Sequence, residues 1–374
     1  MEGHHRRPRQ GRQLRGAAAA LILAVLLVLG VVAAQPAAAP PQWERWTSLP
    51  GVTDVAGPRP DGSLVAAASG RLHLVGPDGT TSPFGSYAAD PGGPTAIAVA
   101  HGLDVTGAGC RFGEGEVFVL ERQGVVRVTI DGAPSPFLGP PPTDVLTGIT
   151  FDATGRFGNQ LLVAGRRGDR TVLFSVDCRG RLRTVTERAP LLGGGMAVAP
   201  AMFGAHGGDL VGADENTGDL VFIRFDGANG VLVRPELPAG PDVGAESVGF
   251  VPDDFVRRRG ALHVAGGDGT IWRMTAGALG PFGVDENDLV VAGQTGRSAA
   301  VRCRATCVVT ALGDAEAAGL QGHVTPLLGE EPPGPPAAGA LGTAMLVIST
   351  TVIIVGGFVL FFLHNRKIRE PGTS

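Results

Sequence analysis

Apolar runs of three to five residues recur along the chain at 52–55, 95–99, 147–151, 196–198, 247–250 and 298–301, their starts stepping by roughly 43 to 52 residues. Behind each lies a loop and a second apolar run, at 64–66, 117–120, 161–163, 210–212, 262–264 and 307–309. Most repeats add a third, at 71–75, 125–128, 172–176, 220–223 and 270–274. Runs this short, rich in Val, Leu and Ile, read as β-strands. The pairs Asp78-Gly79, Asp131-Gly132 and Asp226-Gly227 mark tight turns into a fourth strand, because glycine supplies the positive φ that such turns need. Self-similarity at a fixed period of this size signals a repeat architecture. The expected fold is therefore all-β, a six-bladed β-propeller of up to four short strands per blade. Its blades are expected near 51–85, 94–140, 146–190, 194–238, 245–293 and 297–328. The stretch 43–49 would add an outer strand to the shortened last blade and close the ring.

Two segments break the β pattern. Gly16 to Ala34 is uncharged and follows Arg6, Arg7, Arg9, Arg12 and Arg15. With small residues at Val32 and Ala34, it reads as a secretory signal over 1–34, with an uncleaved anchor as the rival. Ala340 to Leu363 is 24 residues without a charge, long enough for one transmembrane helix. Arg366, Lys367 and Arg369 follow it and place that end inside by the positive-inside rule. The domain order is then the propeller over 43–328, a Pro-rich linker over 329–339, the membrane helix over 340–363 and a cytoplasmic tail over 364–374. The expected location is the cell membrane, single-pass type I, with the propeller extracytoplasmic.

Composition sharpens this picture. The formal charge is only −4, yet both ends are basic, and the section from 35 to 363 carries 23 basic and 33 acidic residues. A nucleic-acid binder would concentrate basic charge on its folded domain, so no nucleic-acid partner is expected. Hydrophobic residues at 44% exclude disorder for want of apolar surface, and 59 Gly with 29 Pro suit a turn-rich β body. Cys110, Cys178, Cys303 and Cys307 all fall in the external part, where disulfides persist. Cys303 and Cys307 could close a hairpin, and Cys110 and Cys178 would then join neighbouring repeats.

The fourth repeat reads Leu210-Val211-Gly212-Ala213-Asp214-Glu215-Asn216-Thr217-Gly218-Asp219-Leu220, and the third Leu161-Leu162-Val163-Ala164-Gly165-Arg166-Arg167-Gly168. Both resemble the strand cores of NHL-repeat propellers and of the related gluconolactonase and strictosidine-synthase-like group. The resemblance covers nearly the whole external domain. It speaks to architecture more than chemistry, since propellers host binding, scaffolding and catalysis alike.

In that group the inner-strand starts and the loops between second and third strands meet on one face of the ring. Here the starts supply Asp54, Thr95, Thr147 and Glu246. The loops supply Glu121, Arg122, Arg166, Arg167, Asp214, Glu215, Asn216 and Asp268. Glu246, Asp214 and Asn216 would form an oxygen-rich set suited to Ca²⁺, as the resemblance to gluconolactonases implies. Arg166, Arg167, Thr147 and Asp268 complete the candidate ligand face. His206 falls between a first and a second strand, on the face opposite Asp214, while His73 and His263 lie within strands as structural residues. A pyrroloquinoline-quinone dehydrogenase would want a His and Arg set at the channel; Arg166 or Arg167 suits it, but no channel histidine is evident. Neither a Gly-x-Ser-x-Gly elbow nor a His-Glu-x-x-His or Walker sequence is present.

These features favour a non-enzymatic module that binds a protein or small molecule at the cell surface. The alternatives are a Ca²⁺-dependent lactonase or esterase-type hydrolase on the same ring, and a structural envelope protein.

Overall fold

The computed structural model describes residues 42–89, 96–214, 216–237, 240, 244–314 and 319–329. The signal, the membrane segment, the tail and all but the first residue of the linker lie outside the described residues. Among the described residues no helix is long and apolar enough to cross a membrane.

The described residues open with β1 (Glu44–Ser48) and then build four separate antiparallel sheets of four strands. The first is β2 (Val52–Ala56), β3 (Leu64–Ala68), β4 (Arg71–Val75) and β5 (Thr81–Pro83). The second starts with β6 (Ile97–Val99), makes a side hairpin of β7 (Asp104–Val105) and β8 (Cys110–Arg111), and continues with β9 (Val117–Glu121), β10 (Gly124–Val128) and β11 (Pro134–Leu138). The third holds β12 (Val145–Phe151), β13 (Leu161–Arg167), β14 (Arg170–Val176) and β15 (Leu182–Ala189). The fourth holds β16 (Met196–Val198), β17 (Leu210–Ala213), β18 (Leu220–Ile223) and β19 (Asn229–Val233). Asp-Gly turns connect the third and fourth strands at the expected places, with Gly79, Gly132 and Gly227 at φ of 83°, 87° and 88°.

The remaining strands depart from the sequence expectation. They are β20 (Ala245–Phe250), β21 (Ala261–Gly266), β22 (Thr270–Thr275), β23 (Leu289–Gly293), β24 (Arg297–Cys303), β25 (Cys307–Asp314) and β26 (Leu320–Leu327). With β1 they form one eight-stranded sheet in the order β1-β22-β21-β26-β20-β23-β24-β25. Blade limits of 245–293 and 297–328 are thus incorrect. The run at 262–264 pairs with β26, not with the strand at 247–250, which takes β23 as its neighbour. Pro326 is part of β26 and pairs with Leu262. Hydrophobic periodicity locates strands without choosing their partners, and here two strands of one quartet are inserted between the first and second strands of another. The stretch 43–49 does form an outer strand, but β1 pairs antiparallel with β22, placed by the sequence in the fifth repeat, and not with a strand read in the last blade over 297–328.

The core is divided rather than central. Five buried clusters lie between successive sheets and a sixth within the eight-stranded one: Val65, Leu72, Ile97 and Val119 join the first to the second, and Phe118, Leu120, Ile149 and Phe174 join the second to the third. Leu162, Leu173, Leu210 and Ile223 continue the series, as do Val211, Leu220, Val248 and Val291. Trp43, Leu262, Trp272, Val290 and Val324 fill the middle of the eight-stranded sheet. Val55 and Leu64 meet Ala265 and Ile271 to bring it back to the first. The sheets therefore pack face to face around a closed ring, and the fold is an all-β propeller.

Both disulfides follow the expected pairing. Cys303–Cys307 closes the β24–β25 hairpin, and Cys110–Cys178 ties the β7–β8 hairpin to the turn after β14.

The two halves of the eight-stranded sheet meet through one parallel pair, Val248 with His323. Gly249 makes this approach possible, because a Cβ there would collide with the Val324 carbonyl oxygen. Gly249→Ala is expected to cost about 1–3 kcal/mol as an overpacked core position, read as a lower urea midpoint with an unchanged slope.

Candidate functional site

The inner strands β2, β6, β12, β16, β20 and β26 surround the ring axis, and a buried ion pair blocks it midway. Asp54 on β2 is fully buried, and its carboxylate accepts hydrogen bonds from the backbone N–H groups of Val55, Ile97 and His323, each at 2.8 Å. The His323 ring lies across the axis. Its Nδ1 is 2.9 Å from Asp54 Oδ2, and its Nε2 is 2.8 Å from the carbonyl oxygen of Ile149 on β12. A carbonyl oxygen only accepts, so Nε2 carries a proton; Nδ1 faces a carboxylate and carries the other. The ring is an imidazolium. Burial alone would lower its pKa, but the Asp54 charge, the Asp54 hydrogen bond and the Ile149 carbonyl outweigh that and raise it. This plug gathers β2, β6, β12 and β26 onto two side chains. The channel histidine that the sequence does not reveal is His323.

Above the plug, where the inner strands start, lies a cavity of about 340 Å³, within the size range of small-molecule sites. Thr53, Thr147, Glu246 and Gln321 give it polar groups, and Gly193 and Gly194 open its wall. Glu246 Oε2 accepts from Gln294 Nε2 at 2.5 Å, which orients the carboxylate. Thr147 Oγ1 and the neighbouring Ser247 Oγ are buried with no hydrogen-bond partner among the described residues. Below the plug is a second cavity of about 250 Å³, lined mainly by apolar groups including Ala56, Val99, Phe151, Val198 and Phe250.

The sequence candidates separate into three groups. Thr147 and Glu246 line the upper cavity. Asp54 sits one residue deeper than the rim, which Thr53 supplies, and is consumed by the plug. Thr95 and Glu215 lie outside the described residues. The others serve local structure. Asp214 Oδ1 accepts from the Asn216 N–H at 2.9 Å inside its own turn, and neither residue lines the upper cavity. Arg167 is turned outward to the Pro142 carbonyl and lies 3.3 Å from Glu187; Arg166 is exposed. Asp268 holds Thr270, Trp272 and Arg45. Glu121 takes a hydrogen bond from the Tyr87 hydroxyl at 3.2 Å, and the Arg122 carbonyl accepts from Leu146 N–H. Among the described residues no group of three or more His, Cys, Asp or Glu is placed to hold a metal ion.

Of the histidines expected to be structural, His263 is packed in the core. His263 is buried and stacks on Trp46 at 4.3 Å, and burial pushes its pKa down to about 3. His206, in the β16–β17 loop, holds Asp209 at 3.0 Å, on the face opposite Asp214. Burial raises the Asp209 carboxyl against the opposing pull of His206.

The class these sheets define is the β-propeller. No known protein family matches the chain, and no curated protein does. Solved structures similar to it include virginiamycin B lyase from Staphylococcus aureus, at 13% identity over 70% of this chain and 86% of that one, with a TM-score of 0.41. The aldose sugar dehydrogenase of Streptomyces coelicolor, in its PQQ-bound form, is 12% identical over 79% of this chain and 92% of that one, at 0.45. A putative gluconolactonase is 14% identical over 64% and 93%, at 0.33.

Proposed function

We propose that the chain is a membrane-anchored, extracytoplasmic six-bladed propeller of the NHL and gluconolactonase-like kind, and that it binds a ligand in the upper cavity. Six blades follow if the eight-stranded sheet counts as two. In support, it consists of two antiparallel quartets joined by the single Val248–His323 pair, and one buried cluster lies between each successive pair of quartets. The anchor is supported by the uncharged run at 340–363 with basic residues after it.

One observation carries the binding assignment. The upper cavity combines an oriented carboxylate, Glu246, with a buried, unpartnered hydroxyl, Thr147, above a floor that the Asp54–His323 plug closes. A pocket of that make-up suits a small polar ligand with N–H or O–H donors, presented alone or at the tip of a protein partner. Hydrolytic chemistry on Ca²⁺ has less support, since Asp214 already satisfies its own turn and stays out of the cavity.

The test is a melting screen of the purified full chain against amines, sugars and CaCl₂ after EDTA treatment. Donor-bearing compounds that raise Tm are expected to lose about tenfold or more in affinity on Glu246→Gln, the loss of one charge-assisted hydrogen bond. Hits indifferent to Glu246→Gln would move the site elsewhere. A Glu246-dependent shift with Ca²⁺ alone would favour the metal-dependent hydrolase.

A further inference from the structure

The face of the ring opposite the ligand cavity carries an unusual share of the exposed apolar surface. Among the described residues six large apolar side chains are exposed: Ile130, Met202, Phe225, Val231, Val256 and Val308. All but Val231 belong to the lower face. Inner strands run downward from the Glu246 cavity, so the loops after them, and the turns from third to fourth strands, are lower-face elements. Ile130 and Phe225 are in such turns, after β10 and β18, and Met202 and Val256 are in the loops after β16 and β20. Val308 lies beside the lower end of the β24–β25 hairpin, opposite Arg302. Met202 is 66% exposed and Val308 58%.

Two arginines lie on the same face. The Arg156 guanidinium lies 4.4 Å over the Phe225 ring, and Arg304 donates to the Met202 carbonyl at 2.9 Å. Each therefore engages a ring or the backbone beside an exposed apolar group. Apolar side chains flanked by arginine suit the boundary between lipid headgroups and acyl chains.

The path of the chain supplies the partner. The inner strand β26 ends at Leu327 on this same face, and the Gly329 carbonyl accepts from Arg258 Nε at 3.0 Å, in the loop that also exposes Val256. The uncharged 24-residue run begins at Ala340. Eleven residues, fully extended, reach at most about 40 Å, and the sequence between Gly329 and Ala340 holds four prolines, a composition suited to an extended spacer. A propeller tethered at this point would have its lower face nearest the bilayer and its ligand cavity on the far side.

We infer that the lower face of the ring is a membrane-docking surface that lies on anionic lipid headgroups through Met202, Phe225, Val256 and Val308, with Arg156 and Arg304 at the phosphates. This rests on the anchoring of the chain proposed above. It adds an orientation: the ring lies flat on the membrane, and ligand is captured on the distal side.

The full chain is reconstituted in phosphatidylcholine vesicles with and without phosphatidylglycerol, and flotation after alkaline carbonate washing tests the anchor first. All four native cysteines are in disulfides, so a thiol-reactive fluorophore reports only an introduced cysteine. Met202→Cys and Val256→Cys probe the lower face at separate loops, and Arg166→Cys probes the upper. A nitroxide on the lipid headgroup is expected to quench the two lower probes several-fold more than the upper one, with the difference growing when phosphatidylglycerol is present. Adding Phe225→Asp to the Val256→Cys chain is expected to shrink it. Equal quenching on both faces in vesicles that float overturns the docking surface and leaves the anchor standing. A chain that washes off in carbonate removes the anchor and the docking surface together.

Discussion

Replacing His323 with alanine is expected to lower stability by about 3–5 kcal/mol, the usual cost of leaving one member of a buried ion pair behind. Asp54 would keep its three backbone donors but lose its counter-charge at a site with no exposure to solvent. Ile149 would lose the donor that satisfies its carbonyl. Asp54→Asn is expected to be costly as well, because both carboxylate oxygens accept backbone N–H groups and the amide NH2 would face one of those donors. pH provides an independent readout of the same pair. The His323 pKa is raised in the folded protein, so its contribution is fully present below the ordinary histidine value of about 6.5 and is lost as pH rises through the folded value. Wild-type chain should therefore lose melting temperature from near-neutral into alkaline pH, and that slope should be absent from His323→Ala. An alkaline slope that persists in the variant would show that other groups set it, and a loss under about 1 kcal/mol would show that water or side-chain rearrangement satisfies Asp54.

The sequence patterns that located the strands were physical ones: buried strands are short apolar runs, and a tight turn needs glycine at positive φ. Both act within a few residues, so most of the strands, the Asp-Gly turns at Gly79, Gly132 and Gly227, and the outer-strand role of 43–49 are legible. Partner choice is not local. The strand at 262–264 is equally apolar whichever inner strand it joins, and only the approach of β26 at Gly249 and the return of β1 to β22 decide it. The site divides in the same way. Thr147 and Glu246 could be placed because an inner-strand start faces the axis by geometry alone. Asp214 and Asn216 carry oxygen ligands in sequence, yet the turn that contains them consumes Asp214 through a backbone hydrogen bond. His323 is not evident from sequence because no apolar run marks 320–327 within the last repeat, 269 residues from the Asp54 it neutralises. A cheap signal existed. Leu320 to Leu327 alternates apolar and polar residues ahead of the Pro-rich spacer, as a final inner strand should.

Trp43→Ala is expected to be comparably costly, about 3–5 kcal/mol for a large aromatic removed from a core. Trp43 is 4% exposed, packs with Leu262, Trp272 and Leu312, and donates through Nε1 to Ser298 Oγ at 2.8 Å across 255 residues of chain. It thereby joins the first described strand to both quartets of the eight-stranded sheet. The other links at this seam are weaker in kind: Arg45–Asp268 at 3.1 Å and Glu44–Arg273 at 2.6 Å involve half-exposed or exposed groups, whose ion pairs contribute at most about 1 kcal/mol. Arg45→Ala should thus change stability by less than about 1 kcal/mol. Trp43→Phe, which keeps most of the buried ring and loses the indole donor, should fall between, nearer the about 0.5–1.5 kcal/mol of one hydrogen bond than the full loss. The readout that separates seam opening from simple loss of packing is hydrogen exchange. In Trp43→Ala, protection should fall first at β1 and β22, with β13 and β14 across the ring retaining theirs until global unfolding. A uniform loss of protection would make the ring a single cooperative unit, with Trp43 an ordinary core residue and the seam no weaker than any other sheet boundary.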